Sequence, residues 1–181
     1  MEKRKMNKIV IIGPESTGKS SMCEMLAKHY HTIWVKEYAR EYLLKNGTNY
    51  KYENLFEIAQ GQRELEKQAL EKLTSNQNIF FVDTDIYVIK VWSEFVFNKC
   101  DNRILNQIVK SDADLYLLLN TDLPWVKDEL REYPDNKTRK KLFHFYKEEM
   151  TEQKKPWHII SGQGNERFVN ALKVVEKHFN N

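Results

Sequence analysis

Gly13-Pro14-Glu15-Ser16-Thr17-Gly18-Lys19-Ser20 is the stretch that decides the fold. It follows a short apolar run, Lys8 to Ile12, and leads into SMCEMLAKHY (21–30), which has helical character. Strand, glycine loop and helix in that order are the context in which GxxxxGK[ST] binds phosphate. A chance match in a chain of this length is on the order of 1% at average residue usage, so the pattern is read as a site. Backbone amides must converge on phosphate oxygens, which glycine permits, and the helix N-terminus adds the positive end of its dipole. Gly13 and Glu15 to Ser21 are therefore the nucleotide-binding candidates. Lys19 would reach the β- and γ-phosphates, and the Ser20 hydroxyl would ligate Mg²⁺.

Further along, Ile79-Phe80-Phe81-Val82-Asp83-Thr84-Asp85 ends an apolar strand in acid. Enzymes with this phosphate loop hold Mg²⁺ between the loop hydroxyl and such an aspartate, which makes Ser20 and Asp83 the metal pair and Asp83 a catalytic candidate. Asp85 could instead face the substrate. The competing reading is that the acid only caps the following helix.

Short β-branched or apolar runs alternate with longer helical patterns across the rest of the chain, the signature of a parallel sheet covered on both faces. The predicted strands are Lys8 to Ile12, Thr32 to Lys36, Ile79 to Asp83, Ala113 to Asn120 and Trp157 to Ser161. A helix is predicted through Leu55, Ile58, Ala59, Gln62, Leu65, Ala69 and Leu73, with a stop at Ser75-Asn76, and a closing helix through Phe168, Leu172, Val175 and Phe179. Residues 45–53 read as a helix-to-helix turn. Residues 122–141 crowd charges, two prolines and an Asp-Asn turn, which reads as a mobile lid. The expected architecture is α/β: a P-loop nucleoside triphosphate hydrolase or kinase fold, with a five-stranded parallel sheet, helices on both faces and a lid, in one domain over 1–181.

Composition bounds the partners. With 181 residues, 41% hydrophobic and 30% charged, the chain suits one packed domain. A net charge of +3 is too slight to imply nucleic acid. Cys23 and Cys100 have no metal-type spacing and make no disulfide framework, and the apolar run after the basic start is too short for export, so a cytoplasmic setting is expected. No apolar run approaches membrane-spanning length. The five histidines show no ligand spacing.

A guanine-specific GTPase would carry DxxG and NKxD; Asp83 and Asp85 lack glycine three residues on, and Asn120-Thr121-Asp122-Leu123 lacks both the lysine and the final aspartate. A small phosphotransferase with a lid fits best. Phosphoryl transfer to an alcohol needs an orienting carboxylate near the acceptor and cations on the transferring group. Glu37-Tyr38-Ala39-Arg40 lies just past the second strand, at the carboxyl edge where such sheets bind ligands. Glu37 can accept from a ribose hydroxyl, and Arg40 lies on the same helix face; the alternative for Arg40 is a surface ion pair with Glu37 or Glu41. The lid offers Arg131, Lys137, Arg139 and Lys140 as phosphate clamps. Trp125 stands beside the lid, either to stack on a flat, cationic ring or to anchor the lid on the core. Trp34 and Trp92 fall within element patterns and read as core.

GPESTGKS (13–20), EYAREYL (37–43), FFVDTD (80–85) and LLLNTDLPWVKDELRE (117–132), in that order, resemble the ribosylnicotinamide kinase domain of the NadR type and stand-alone relatives of it. The resemblance implies transfer of phosphate from ATP to nicotinamide riboside, a small-molecule nucleoside acceptor, giving nicotinamide mononucleotide. It implies Gly13 to Ser20 as the ATP loop, Glu37 and Arg40 as substrate-side residues, Asp83 and Asp85 as the acidic pair, and Trp125 and Arg131 as substrate or lid residues. The segment 132–141 has no counterpart in the resemblance, so Arg139 joins Arg131 as a lid arginine on chemistry alone; on the same ground Tyr38 and Asp85 are added as substrate-side candidates, and Lys19, Asp83 and Glu37 are the catalytic candidates. The DNA-binding and adenylyltransferase domains of such regulators find no room here, so neither activity is expected to carry over. The alternatives are a nucleotide-responsive binding module, a kinase of another nucleoside, and a kinase of nucleic-acid ends. Glycine is scarce, six in the chain. Gly13 and Gly18 belong to the phosphate loop and Gly162 and Gly164 to the turn after the last strand. Gly47 reads as a helix stop, whereas Gly61 sits unexplained inside a helical pattern at a cost of ~1 kcal/mol.

Overall fold

The computed structural model describes residues 6–74 and 76–179. The elements run β1 (Asn7–Ile12), α1 (Lys19–His29), β2 (Trp34–Val35), α2 (Tyr38–Asn46), α3 (Asn54–Lys72), β3 (Ile79–Asp83), α4 (Ile86–Phe97), α5 (Asn102–Ile108), β4 (Leu115–Leu119), α6 (Asn136–Glu152), β5 (Trp157–Ile160) and α7 (Gly164–Phe179). All five strands pair in parallel, in the order β2-β3-β1-β4-β5. This is the expected five-stranded parallel sheet, with β1 at its centre and its carboxyl end between those of β3 and β4.

The period of two along each strand sorts the apolar side chains onto two faces. Val10, Ile12, Phe80, Val82, Tyr116 and Leu118 pack against residues of α2, α3, α4 and α6. Ile9, Ile11, Ile79, Phe81, Leu115, Leu117 and Leu119 pack against α1 and α7. Burial on both faces is why these strands read as continuous apolar runs rather than alternating ones.

Boundaries moved where backbone pairing ran out before the apolar run did. The second strand is two residues long rather than five, because only Trp34 and Val35 find register on β3. The stop expected at Ser75-Asn76 lies partly outside the described residues, since Ser75 is among those not described; α3 ends at Lys72. Residues 122–141, read as a lid, do not form one irregular segment. Residues 121–135 form an irregular strap, and helix α6 starts at Asn136, because the Asp135 side chain accepts from Thr138 N at 2.7 Å and so serves as an N-cap where a turn was expected. Gly61 now has a reason: a Cβ there would sit 2.0 Å from Cε1 of Tyr38, so α3 packs directly on that ring. Among the described residues no helix is long and apolar enough to cross a membrane.

Candidate active site

The loop between β1 and α1 folds by short-range contacts. Gly13, at φ 140°, lies so close to β4 that an added Cβ would meet Leu119 O at 2.8 Å. Ser16 and Gly18 both adopt left-handed backbone, at φ 57° and 82°. The buried Thr17 hydroxyl donates to Pro14 O at 2.8 Å, and the Lys19 ammonium reaches back over the loop to the same carbonyl at 3.2 Å. Successive amides of such a turn make an anion-binding concavity, and the first turn of α1 adds its dipole.

Register brings the acid to the loop. Asp83 pairs with Ile11 across β3 and β1, and its Oδ2 accepts from the Ser20 hydroxyl at 2.5 Å. Burial pushes the Asp83 carboxyl up, opposed by the Lys19 ammonium and the Ser20 and Thr84 hydroxyls. A hydroxyl and a carboxylate are hard oxygen donors, and Mg²⁺ is held by one or two carboxylates completed by substrate phosphates and water, so this pair fits that ion. Among the described residues no group of three or more His, Cys, Asp or Glu is assembled to hold a metal by itself. Glu37 occupies the N-cap position of α2 without using its side chain as a cap, and it lines the pocket, with the Thr84 hydroxyl beside its carboxylate. Burial raises its pKa first; Lys19 pulls it down, the Asp83 charge pushes it up again, and Arg40 lowers it. The Lys19 ammonium thus acts on two desolvated carboxylates.

Thr84 separates the two aspartates in an unusual way. It is buried, β-branched and left-handed at φ 72°, its N–H donating to Ile11 O at 3.1 Å and its hydroxyl to Asp83 Oδ1 at 3.3 Å. Beyond this kink Asp85 turns into the core. It caps α4 by accepting from Tyr87 N at 2.9 Å and accepts from the Tyr116 hydroxyl at 2.8 Å. Burial raises its pKa to about 6, against attraction to Lys8 and the Tyr116 hydrogen bond.

A pocket of about 370 Å³ joins the phosphate loop to a wall built by Val88, Trp92 and Phe95 of α4, Leu130 to Tyr133 of the strap, and Leu142 and Tyr146 of α6. Gly13 to Ser21 form its floor, with Glu37 and Arg40 at the side. Arg40 makes a two-pronged pair with Asp128 of the strap, at 3.0 and 3.1 Å. The pair expected as an alternative, with Glu37 or Glu41, is replaced by this longer-range one. Trp92 donates to the Tyr50 hydroxyl at 2.8 Å and meets that ring edge-on at 4.6 Å; Tyr133 meets Phe95 edge-on at 5.4 Å.

The strap also hangs on the loop. Glu15 accepts from Trp125 Nε1 at 3.0 Å, Glu132 N at 2.9 Å and Tyr133 N at 2.7 Å. The Ser16 hydroxyl accepts from Val126 N at 2.9 Å, and Arg131 donates to that hydroxyl at 3.4 Å and to Val126 O.

The pocket therefore gathers Lys19, Ser20, Ser21, Glu37, Arg40 and Arg131 from the sequence-based set. It leaves out Asp85, Tyr38, Trp125 and Arg139, and also Asp83, which meets the pocket only through its bond to Ser20. Tyr38 is spent on packing, its ring against Gly61 and its N–H on Gln62 Oε1 at 2.8 Å. Trp125 anchors the strap rather than facing the pocket. Arg139 is buried on α6 and grips two carbonyls, Ser16 O at 3.2 Å and Leu123 O at 3.1 Å, so it braces the loop from behind. Lys137 and Lys140 lie exposed on the same helix.

Trp92, read as core from its helical pattern, is the tryptophan that lines the pocket. Arg167 was missed altogether. It is buried and donates to Thr17 O at 3.1 Å, Asn120 O at 2.7 Å, Gly162 O at 3.0 Å and the Asp122 carboxylate, joining three loops at the sheet edge. A lone arginine in an amphipathic helix carries no sequence signal for such a role.

Comparison with known proteins agrees with this geometry. The trifunctional NAD biosynthesis/regulator proteins NadR of Salmonella typhimurium (strain LT2) and Escherichia coli (strain K12) are each 24% identical over 174 residues, 93% of this chain. The chain spans only 42% of the length of either relative. A crystal structure of a NadR protein in complex with NR superposes with a TM-score of 0.81 at 19% identity, over 97% of this chain and 50% of that one. Thymidylate kinase from Ehrlichia chaffeensis superposes at 0.69 and 13% identity, over 94% of this chain and 99% of that one. The fold is that of the P-loop kinases. The model of the AAA domain family matches residues 8–167, and the chain belongs to that family.

Proposed function

We propose that the protein is an ATP-dependent nucleoside kinase whose acceptor is nicotinamide riboside, with nicotinamide mononucleotide and ADP as products. One observation carries the reading: a single pocket runs from the phosphate loop, past Glu37, to an aromatic wall of Trp92, Phe95 and Tyr133. A triphosphate on the loop and a nucleoside against that wall would bring a ribose hydroxyl to the γ-phosphoryl beside Glu37. Aromatic faces with the Glu132 carboxylate beside them suit a flat ring carrying positive charge, which is what distinguishes a pyridinium nucleoside from a neutral one. The similarity to NadR supports the same acceptor.

In the reaction the ribose hydroxyl oxygen bonds to the γ-phosphorus, the bond from that phosphorus to the bridging oxygen breaks, and ADP leaves. Most of the catalysis in such transfers is positioning and charge stabilisation. Glu37, whose pKa burial has raised, orients the hydroxyl and takes its proton. Lys19, released from Pro14 O, lies along the phosphates, and Arg131 and Arg40 supply cations at the strap side. Ser20 and Asp83 would hold Mg²⁺, which neutralises charge developing on the phosphate oxygens. ADP release measured across a panel of nucleosides tests the proposal: turnover with nicotinamide riboside well above that with thymidine, adenosine or cytidine is the expected result. ATP binding without turnover on any nucleoside would point to a nucleotide-responsive module and overturn it.

A further inference from the structure

We infer that Glu15, although it stands inside the phosphate loop, is a positioning residue for the acceptor wall and carries the energetic coupling between nucleotide and acceptor. The inference rests on the proposed kinase reading and deepens it. Loop residues at a phosphate site contribute mainly backbone amides, so the side chain of Glu15 is free for another use. Its two carboxylate oxygens take three donors, the indole of Trp125 and the backbone amides of Glu132 and Tyr133, 110 to 118 residues away in the chain. Both Glu132 and Tyr133 line the pocket.

The other ties of the strap are weaker holds on these two residues. The Arg40–Asp128 pair is partly exposed and acts four residues before Glu132. The Tyr50 hydroxyl reaches Glu132 Oε2 at 3.3 Å, the Ser16 hydroxyl holds Val126, six residues before Glu132, and Arg131 ties to that hydroxyl and to Val126 O by its side chain rather than its backbone. Glu15 binds the backbone on which the Tyr133 ring is mounted, through the amides of both Glu132 and Tyr133. Charge-assisted hydrogen bonds to backbone amides are the stronger and more directional kind, and three on one carboxylate fix that stretch of chain. Ordering the loop around a triphosphate therefore fixes Glu15, and through it the wall that receives the nucleoside. By linkage the effect is reciprocal: a bound nucleoside favours the loop geometry that binds nucleotide.

Calorimetric titration of nicotinamide riboside, with and without the non-hydrolysable analogue AMP-PNP, tests this in the wild type, Glu15→Ala and Glu15→Gln. AMP-PNP should tighten riboside binding in the wild type. In Glu15→Ala that enhancement should vanish, and the riboside KM should rise about tenfold or more with a smaller change in kcat, while AMP-PNP affinity alone falls by much less than riboside affinity. Glu15→Gln, which keeps one acceptor oxygen, should fall between. Equal loss of nucleotide and riboside affinity in Glu15→Ala, or an unchanged coupling, would overturn the inference. A second readout needs no ligand: amide hydrogen exchange at Glu132 and Tyr133 should quicken in Glu15→Ala, and unchanged protection there would also overturn it. If the wild type binds no nucleoside at all, the kinase proposal fails, while the exchange measurement still decides whether Glu15 positions the strap.

Discussion

At the phosphate edge of the pocket, Pro14, Thr17 and Lys19 bond within five residues of one another. At the acceptor wall the links join Glu15 to Tyr133, Arg40 to Asp128 and Trp92 to Tyr50, across 118, 88 and 42 residues. The first region is backbone geometry set by a few neighbours and braced from behind by Arg139 and Arg167. The second exists only when five elements have come together. The entropy of closing a long loop grows slowly with its length, so long-range links are affordable, but each must be held by side chains of the right kind rather than by the chain itself. The phosphate loop thus takes its turn from neighbours in sequence, with Asp83, Arg139 and Arg167 added by tertiary structure, whereas the aromatic wall is assembled by tertiary structure throughout.

If the two halves are separable, each should be removable alone. Lys19→Ala should lower kcat by a factor on the order of 10³ or more, with riboside affinity by calorimetry changed less than about threefold. A parallel collapse of riboside binding would erase the distinction. Trp92→Ala is the converse: kcat/KM for the nucleoside should fall on the order of 10²-fold, as for truncation of a buried aromatic anchor, while AMP-PNP binding persists. Gly61→Ala probes the packing beneath the acceptor side. With Tyr38 in the way, it should destabilise by about 1–3 kcal/mol, seen as a Tm lowered by several degrees, and should weaken riboside before nucleotide.

The acid that left the pocket has its own signature. The folded state raises the pKa of Asp85 from 3.8 to about 6, so the native protein holds that proton more tightly than the unfolded chain does. Stability contributed by this group is therefore greatest below about pH 4, declines as pH rises to 6 and is level above. Asp85→Asn should remove that slope from a Tm-against-pH curve while leaving nucleotide affinity unchanged. The smallest effect is expected at the strap's exposed tie: a double-mutant cycle on Arg40→Ala and Asp128→Ala should give a coupling of about 0.2–1 kcal/mol in stability.

The contrast also explains what could be read from residues alone. The phosphate loop, the two central strands and Asp83 are local patterns, and the sheet they imply is the one observed. Lys19, Ser20, Glu37 and Arg40 were legible because they follow strands whose carboxyl ends meet. Trp92 was not: its spacing matches a buried helix face, and nothing in the sequence says that α4 turns one edge of that face to a cavity. The sequence alone puts Asp135 in a lid because Asp-Asn serves equally as a turn and as a helix cap, and only the bond from Thr138 N decides between them. Arg139 and Arg167 look like any surface charge until the carbonyls they grip are in place.

Thr84 carries a further consequence. In an unbroken strand, residues two apart project to the same side, so Asp83 and Asp85 would have crowded two like charges into one site. A single left-handed residue between them turns one carboxylate to the phosphate loop and the other to the framework. A β-branched side chain in that conformation is held against its own preference, at a cost of order 1–3 kcal/mol. The protein accordingly sits off its stability optimum at one defined peptide, where glycine would relax the backbone but forfeit the hydroxyl that Asp83 accepts from. Selection for greater stability at this position would thus work against the division of labour between the two acids.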